Sequence, residues 1–195
     1  MINKRKMYGI AWLTLLAFPI LAIVIHFLIF GHIDFIKGII FWEIDLSRFV
    51  LGSFVGVLFG LLIQKVIDKS QIEINDFEQL KKQLSSLNLS IKDKLFVSFC
   101  AGFGEEFFFR LFLQKYWGVW ITAIIFVAIH GYFHPTKWER NKIGFTILPF
   151  ILVLSFGYEY LGFWFAVATH MFYDFVIFIN VKNKEDETPF FQIRE

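Results

Sequence analysis

The chain reads as a series of long apolar runs set apart by polar stretches. The runs cover roughly residues 8–30, 49–67, 95–114, 117–134, 143–158 and 161–180. A helix needs about 20 apolar residues to cross the hydrocarbon of a bilayer, so each run predicts a membrane-spanning helix. The fourth and fifth are short, and Pro149 is placed to bend the fifth. A further stretch, FIKGIIFW at 35–42, is too short to cross and is expected at the interface. One long polar stretch, 68–94, divides the first two runs from the rest. Its Ile72, Ile74, Phe77, Leu80 and Leu84 are only loosely helical in spacing, which predicts an amphipathic helix or loop lying against the membrane surface. The expected fold class is all-α: a polytopic membrane helix bundle of about six transmembrane helices plus an amphipathic or interfacial segment.

Composition supports this reading. Of the 195 residues, 57% are apolar or aromatic and only 18% are charged, with a mean hydropathy of +0.61; a soluble domain is nearer half apolar and a quarter charged. The 28 phenylalanines are too many for one soluble core of this size. The basic N-terminus followed by an apolar run resembles a signal peptide, but the run from Tyr8 to Phe30 exceeds the roughly 7–15 residues of a signal core and no small-x-small site follows. It predicts an uncleaved anchor. The single cysteine, Cys100, excludes an intrachain disulfide and a multi-cysteine metal site, and its apolar surroundings predict a small buried side chain.

Charge placement predicts orientation. With the N-terminus in the cytoplasm, the inside segments carry 15 Lys and Arg residues and the outside segments carry only Lys37, Arg48 and Lys115. This bias favours six helices with both termini cytoplasmic.

Few ionisable residues remain at membrane depth: Glu105, Glu106 and Arg110 in the third run, His130 in the fourth, and His170 and Asp174 in the sixth. Each charge at the bilayer centre costs roughly 2.5–3.5 kcal/mol on an insertion scale. Such groups are therefore expected to face the bundle interior and to find partners there. Glu106 and Arg110 are four apart, acid before base, and predict a structural ion pair. Glu105 is rotated about 100° away and is the spare carboxylate, the better candidate for chemistry. His170 and Asp174 form a second i, i+4 pair. At 1.5 Å per residue Glu105, His130, His170 and Asp174 can all line one cavity between mid-membrane and the cytoplasmic face.

A carboxylate withdrawn from bulk water is a competent general base. A neighbouring histidine can hold the water and shuttle its proton, and a second can donate to a developing oxyanion. Neither Ser98 nor Cys100 is paired with a base, which favours hydrolysis by activated water over an acyl-enzyme. A zinc site built from Glu105, His130, His170 and Asp174 is the rival reading, although no HExxH helix is present. Intramembrane His and Glu also mark transport and proton-relay pathways, but no internal repeat accompanies them here.

The motifs EEFFFR (Glu105–Arg110), FVAIH (Phe126–His130) and HMFYD (His170–Asp174) follow one another on successive predicted spans. Together they resemble the EExxxR, FxxxH and HxxxN/D motifs of the CAAX protease and bacteriocin-processing family (CPBP, also called Abi), which includes the type II CAAX prenyl endopeptidases. The resemblance covers roughly residues 95–180. It implies an intramembrane glutamate protease in which Glu105 with His130 activates water, His170 with Asp174 forms the oxyanion side, and Glu106 and Arg110 support them. Where the family carries Asn, Asp174 must donate as a neutral acid, orient His170, or ligate a metal. With the apolar runs and charge placement, the expected organisation is 1–67 as N-terminal transmembrane helices, 68–94 as a polar cytoplasmic linker, 95–180 as the catalytic-type core that the resemblance covers and 181–195 as a polar tail. The implied substrate is a peptide or small membrane protein at the lipid bilayer, with no nucleic acid; no cofactor is favoured, with zinc left possible. The alternative is a non-proteolytic role in bacteriocin self-immunity or in regulating a membrane partner.

Overall fold

The computed structural model describes residues 3–33, 45–69 and 82–181. The interfacial stretch expected at 35–42, residues 70–81 of the 68–94 linker and the tail after 181 fall outside these residues. What is described is helical: α1 (Lys4–Phe30), α2 (Leu46–Lys69), α3 (Ile91–Glu106) continuing as a π-helix (Phe107–Gln114), α4 (Lys115–Ile129), α5 (Trp138–Leu161) and α6 (Phe163–Asn180). Five of these stretches, counting Ile91–Ile129 as one, are long and apolar enough to cross a membrane.

The run Ile91–Ile129 is continuous in hydrogen bonding but not in direction. Gly118 sits at φ 73°, ψ 174°, far from helical values, a conformation that only glycine adopts readily. The chain reverses there, and residues on either side pack as a hairpin, with the rings of Phe109 and Phe126 4.8 Å apart. The returning arm, 119–129, rises only about 16 Å at 1.5 Å per residue, roughly half of the hydrocarbon thickness. The span expected over 117–134 thus ends at Ile129, and its tip lies at the depth of Glu105. By contrast, α5 exceeds the 143–158 run and continues unbroken through Pro149.

Ties at one end of the bundle fix the threading. Asp93 closes a capping box with Ser90 at the start of α3, accepts a hydrogen bond from the Tyr8 hydroxyl and pairs with Lys4. Next to it, Lys94 Nζ donates to the Val181 carbonyl at 3.3 Å, and Asn180 donates to Gln64. The starts of α1 and α3 and the ends of α2 and α6 therefore share one face. At the other face Arg48, at the start of α2, donates to the Leu161 carbonyl at 3.4 Å.

The central helix is α6, which packs on α2, α3 and α5. Its contact with α2 depends on glycines at i, i+4 and i+8. A Cβ on Gly52 would lie 2.4 Å from the Phe165 carbonyl oxygen, one on Gly56 2.2 Å from that of Thr169, and one on Gly60 2.9 Å from Val176 Cβ. Small residues let helix backbones touch where no hydrophobic drive separates lipid from protein. Polarity is inverted relative to a soluble domain. Glu106, Arg110, Gln114, Ser98, Thr122, Ser155 and Thr169 are buried, whereas Leu13, Leu28, Phe54 and Trp120 are exposed. Cys100 is buried and free.

Candidate active site

The site assembles from the open end of the α3–α4 hairpin, where Glu105 and His130 lie, and the middle of α6. Directly after the acid pair, the backbone changes to i→i+5 bonding over Phe107–Gln114, a rare departure that is frequent at functional sites. Of its eight residues only Phe108 is not buried, so the wider turn feeds side chains into the core nearly all round.

The two acids diverge, as their 100° offset predicts, but not to the partners expected for both. Glu106 is fully buried. Its Oε2 accepts from Arg110 Nε at 2.8 Å, the expected ion pair, and its Oε1 accepts from His170 Nδ1 at 2.7 Å. Glu106 therefore serves the sixth helix as well as its own turn. The sequence reading gave it Arg110 alone, because periodicity reports neighbours within a helix and says nothing of a residue 64 positions away. The Arg110 guanidinium lies 5.3 Å from the centre of the Phe126 ring, a cation–π contact beside terminal nitrogens that make no hydrogen bond.

Glu105 turns instead to the hairpin's other arm, where its Oε2 is 3.4 Å from His130 Nε2. That oxygen makes no hydrogen bond. His130 caps α4: its Nδ1–H donates to the Phe126 carbonyl at 2.6 Å, which also accepts the His130 backbone N–H at 3.4 Å. The helix then ends in Gly131 at φ 76°, a left-handed stop. Because Nδ1 carries the proton, Nε2 is left to face Glu105. The Phe126 and His130 rings stack at 4.4 Å, and His170 meets the same ring edge-on at 5.9 Å. The phenylalanine four residues before His130 is thus the shared floor of the site.

His170 Nε2 is 3.6 Å from Asp174 Oδ2. The four residues Glu105, His130, His170 and Asp174 lie near enough for each charge to act on the others. Side-chain exposure rises from 0% at Glu106 and Arg110, through 8% at His170 and 14% at Glu105, to 24% at Asp174 and 32% at His130. Access is therefore from the His130–Asp174 side. Tyr132, two residues beyond His130, was not anticipated from the sequence. Its ring runs parallel to that of His130 at 6.4 Å. Burial first, then the charges of Asp174 and Glu105, push its phenol above the usual range. Its only signal in the sequence is its place in the loop that follows the FxxxH motif.

Among the described residues, no group of three or more His, Cys, Asp and Glu side chains is arranged to hold a metal ion. In the set considered for zinc, each histidine has committed Nδ1 elsewhere and turns Nε2 to a different carboxylate.

A family model described as Type II CAAX prenyl endopeptidase Rce1-like matches residues 88–176. Over those residues, somewhat less than half of the chain, the protein is similar to this family. The Rce1-like segment starts just before the Ser90 cap, runs through the whole α3–α4 hairpin and α5, and ends two residues past Asp174, so it holds every residue of the site. It leaves out α1 and α2. The Rce1-like family is a protease family, and its match here joins the apolar helices in describing an integral membrane protein. No curated protein and no solved structure matches the chain.

Proposed function

We propose that the protein is an intramembrane endopeptidase that hydrolyses a membrane-proximal peptide bond with water activated by Glu105 and His130. The observation that carries this reading is the Glu105 Oε2–His130 Nε2 approach of 3.4 Å, made by a carboxylate oxygen that has no other partner. Two proton acceptors held side by side give a water somewhere to place both of its hydrogens, which leaves its lone pair free to attack. Two hydrogen bonds of about 2.8 Å from one water span roughly 4.4 Å. The pair therefore opens by about 1 Å to admit it, and half-exposed His130 is the side that gives. As the water oxygen bonds to the carbonyl carbon, Glu105 takes a proton, and the acid so formed returns it to the leaving amine.

His170 is assigned to the developing oxyanion. With Nδ1–H donated to Glu106, the ring between the two carboxylates acts as an imidazolium, and its Nε2–H, resting 3.6 Å from Asp174, turns to the oxyanion as it forms. Glu106 and Arg110 are positioning residues: the acid sets the His170 ring, and the guanidinium balances the acid. Each step is thereby assigned to side chains without a metal. Both termini are assigned to the cytoplasm, in keeping with the 15-to-3 distribution of Lys and Arg and with the shared face of the α1 start and the α6 end.

The test is cleavage of a peptide library by the full chain in detergent. Glu105→Gln and His130→Gln are each expected to lower kcat/KM by about 10²–10⁴ while the thermal transition is kept. Equal cutting by both variants and the parent would refute the reading. A function in self-immunity or partner regulation would instead persist in Glu105→Gln.

A further inference from the structure

A cavity of about 270 Å³ reaches the site at Glu105. Its walls are Met7, Ala11 and Thr14 of α1, Leu84 and Leu87 ahead of α3, and α3 itself as far as Glu105. Among the described residues of the lining, Glu105 is the only ionisable one; the rest are apolar or neutral. The approach of α1 is close because Gly104 has no side chain: a Cβ there would lie 2.3 Å from the Thr14 carbonyl oxygen. The residue next to the acid pair thus allows α1 to form the opposite wall. Only Val97, Ala101 and Glu105 of the lining fall within the family-matched residues 88–176.

Size limits the occupant. A cavity of about 150 Å³ accommodates benzene, some 25 Å³ per carbon. At that rate 270 Å³ takes about eleven carbons, enough for one aromatic or branched side chain with part of its neighbour. An isoprenoid or acyl chain of fifteen carbons or more exceeds that volume.

We propose that this cavity is a specificity subsite for a bulky apolar side chain of an unlipidated peptide, seated beside the scissile bond, with its selectivity set by α1 and residues 83–87. The inference rests on the reading of Glu105 as the hydrolytic base. An apolar wall accepts the side chain, and the single carboxylate at its end meets the adjoining backbone. A lipid tail would be excluded by length, and a charged side chain would be left without a partner.

The test uses the full chain in detergent with peptide pairs that differ only in Phe or Ala at one position, plus a peptide bearing a fifteen-carbon isoprenoid thioether. The parent is expected to favour the Phe peptide over its Ala counterpart by about 10-fold or more in kcat/KM. Ala11→Phe, which fills the cavity, is expected to bring that ratio close to one. Leu87→Ala, which enlarges it, is expected to raise the ratio for Trp over Phe. A ratio unmoved by both variants, or a parent preference for the isoprenoid peptide that Ala11→Phe abolishes, would overturn the proposal. Binding separates this result from the fate of the hydrolytic reading. A peptide carrying a photoreactive phenylalanine is expected to crosslink the inactive Glu105→Gln chain at Met7 or Thr14. Crosslinks confined to other helices would overturn the subsite even if cutting depends on Glu105. Crosslinks at α1 without any cutting would retain the subsite and refute the protease.

Discussion

Glu106 Oε1 accepts a hydrogen bond from His170 Nδ1 at 2.7 Å, deep in the bundle and 64 residues along the chain. The same carboxylate holds Arg110 through its other oxygen. One buried acid therefore sets both the charge balance of its own turn and the ring orientation of the sixth helix. Removing one member of a buried pair strands the other, at a cost of about 3–5 kcal/mol. Glu106→Gln is expected to lose stability on that scale, measured by thermal or denaturant unfolding in detergent. Adding Arg110→Gln should restore part of it. An unchanged transition in the single variant would show that the pair does not hold the fold.

Phe126 touches His130, His170, Arg110 and Phe109 at once. Truncation to Ala removes the surface on which both imidazoles rest. A buried Phe→Ala change typically costs about 3–5 kcal/mol, and cleavage is expected to fall with it. Phe126→Tyr keeps the ring and is expected to retain most of the stability. Equal loss in the two variants would contradict the ring contacts assigned to this position.

The α2–α6 contact fails if a side chain is inserted into it. Gly56→Val would put a Cβ 2.2 Å from the Thr169 carbonyl oxygen, backbone that cannot step aside. The helices must then separate next to His170. Lower yield and a lowered thermal midpoint are expected, whereas Gly9→Ala, whose Cβ meets nothing within 4 Å, should leave both unchanged. Equal behaviour of the two variants would contradict the packing.

The Tyr132 phenol, held protonated well past neutral pH by burial and by the nearby charges of Asp174 and Glu105, is a hydrogen-bond donor at the open side of the site. Tyr132→Phe keeps the ring parallel to His130 and removes only the hydroxyl. A hydrogen bond to a charged group is worth about 1.5–3 kcal/mol, so a fall of at least about 10-fold in kcat/KM is expected, with stability unaffected. An unaltered kcat/KM would remove Tyr132 from the reaction.

The apolar runs, their helical nature and the pairs within one helix were open to reading because they depend only on local spacing. Glu106–Arg110 and His170–Asp174 are such pairs, and both are in contact. The glycine series 52, 56, 60 was equally legible and predicts a close helix contact, yet it was not singled out. Helix boundaries were less so: hydropathy marks where a segment tolerates lipid, not where hydrogen bonding stops, which is why α5 overruns its apolar run and the fourth span stops early at Ile129.

By itself the sequence determined which residues lie at membrane depth and which of them share a helix face, since both follow from the rise and twist of a single helix. Only the tertiary structure decided which acid meets which histidine. The reversal at Gly118 folds His130 back to the depth of Glu105, and the glycine contacts of α2 with α6 help fix where His170 stands opposite Glu106. Those placements come from how helices pack against one another, a quantity that no spacing along the chain encodes.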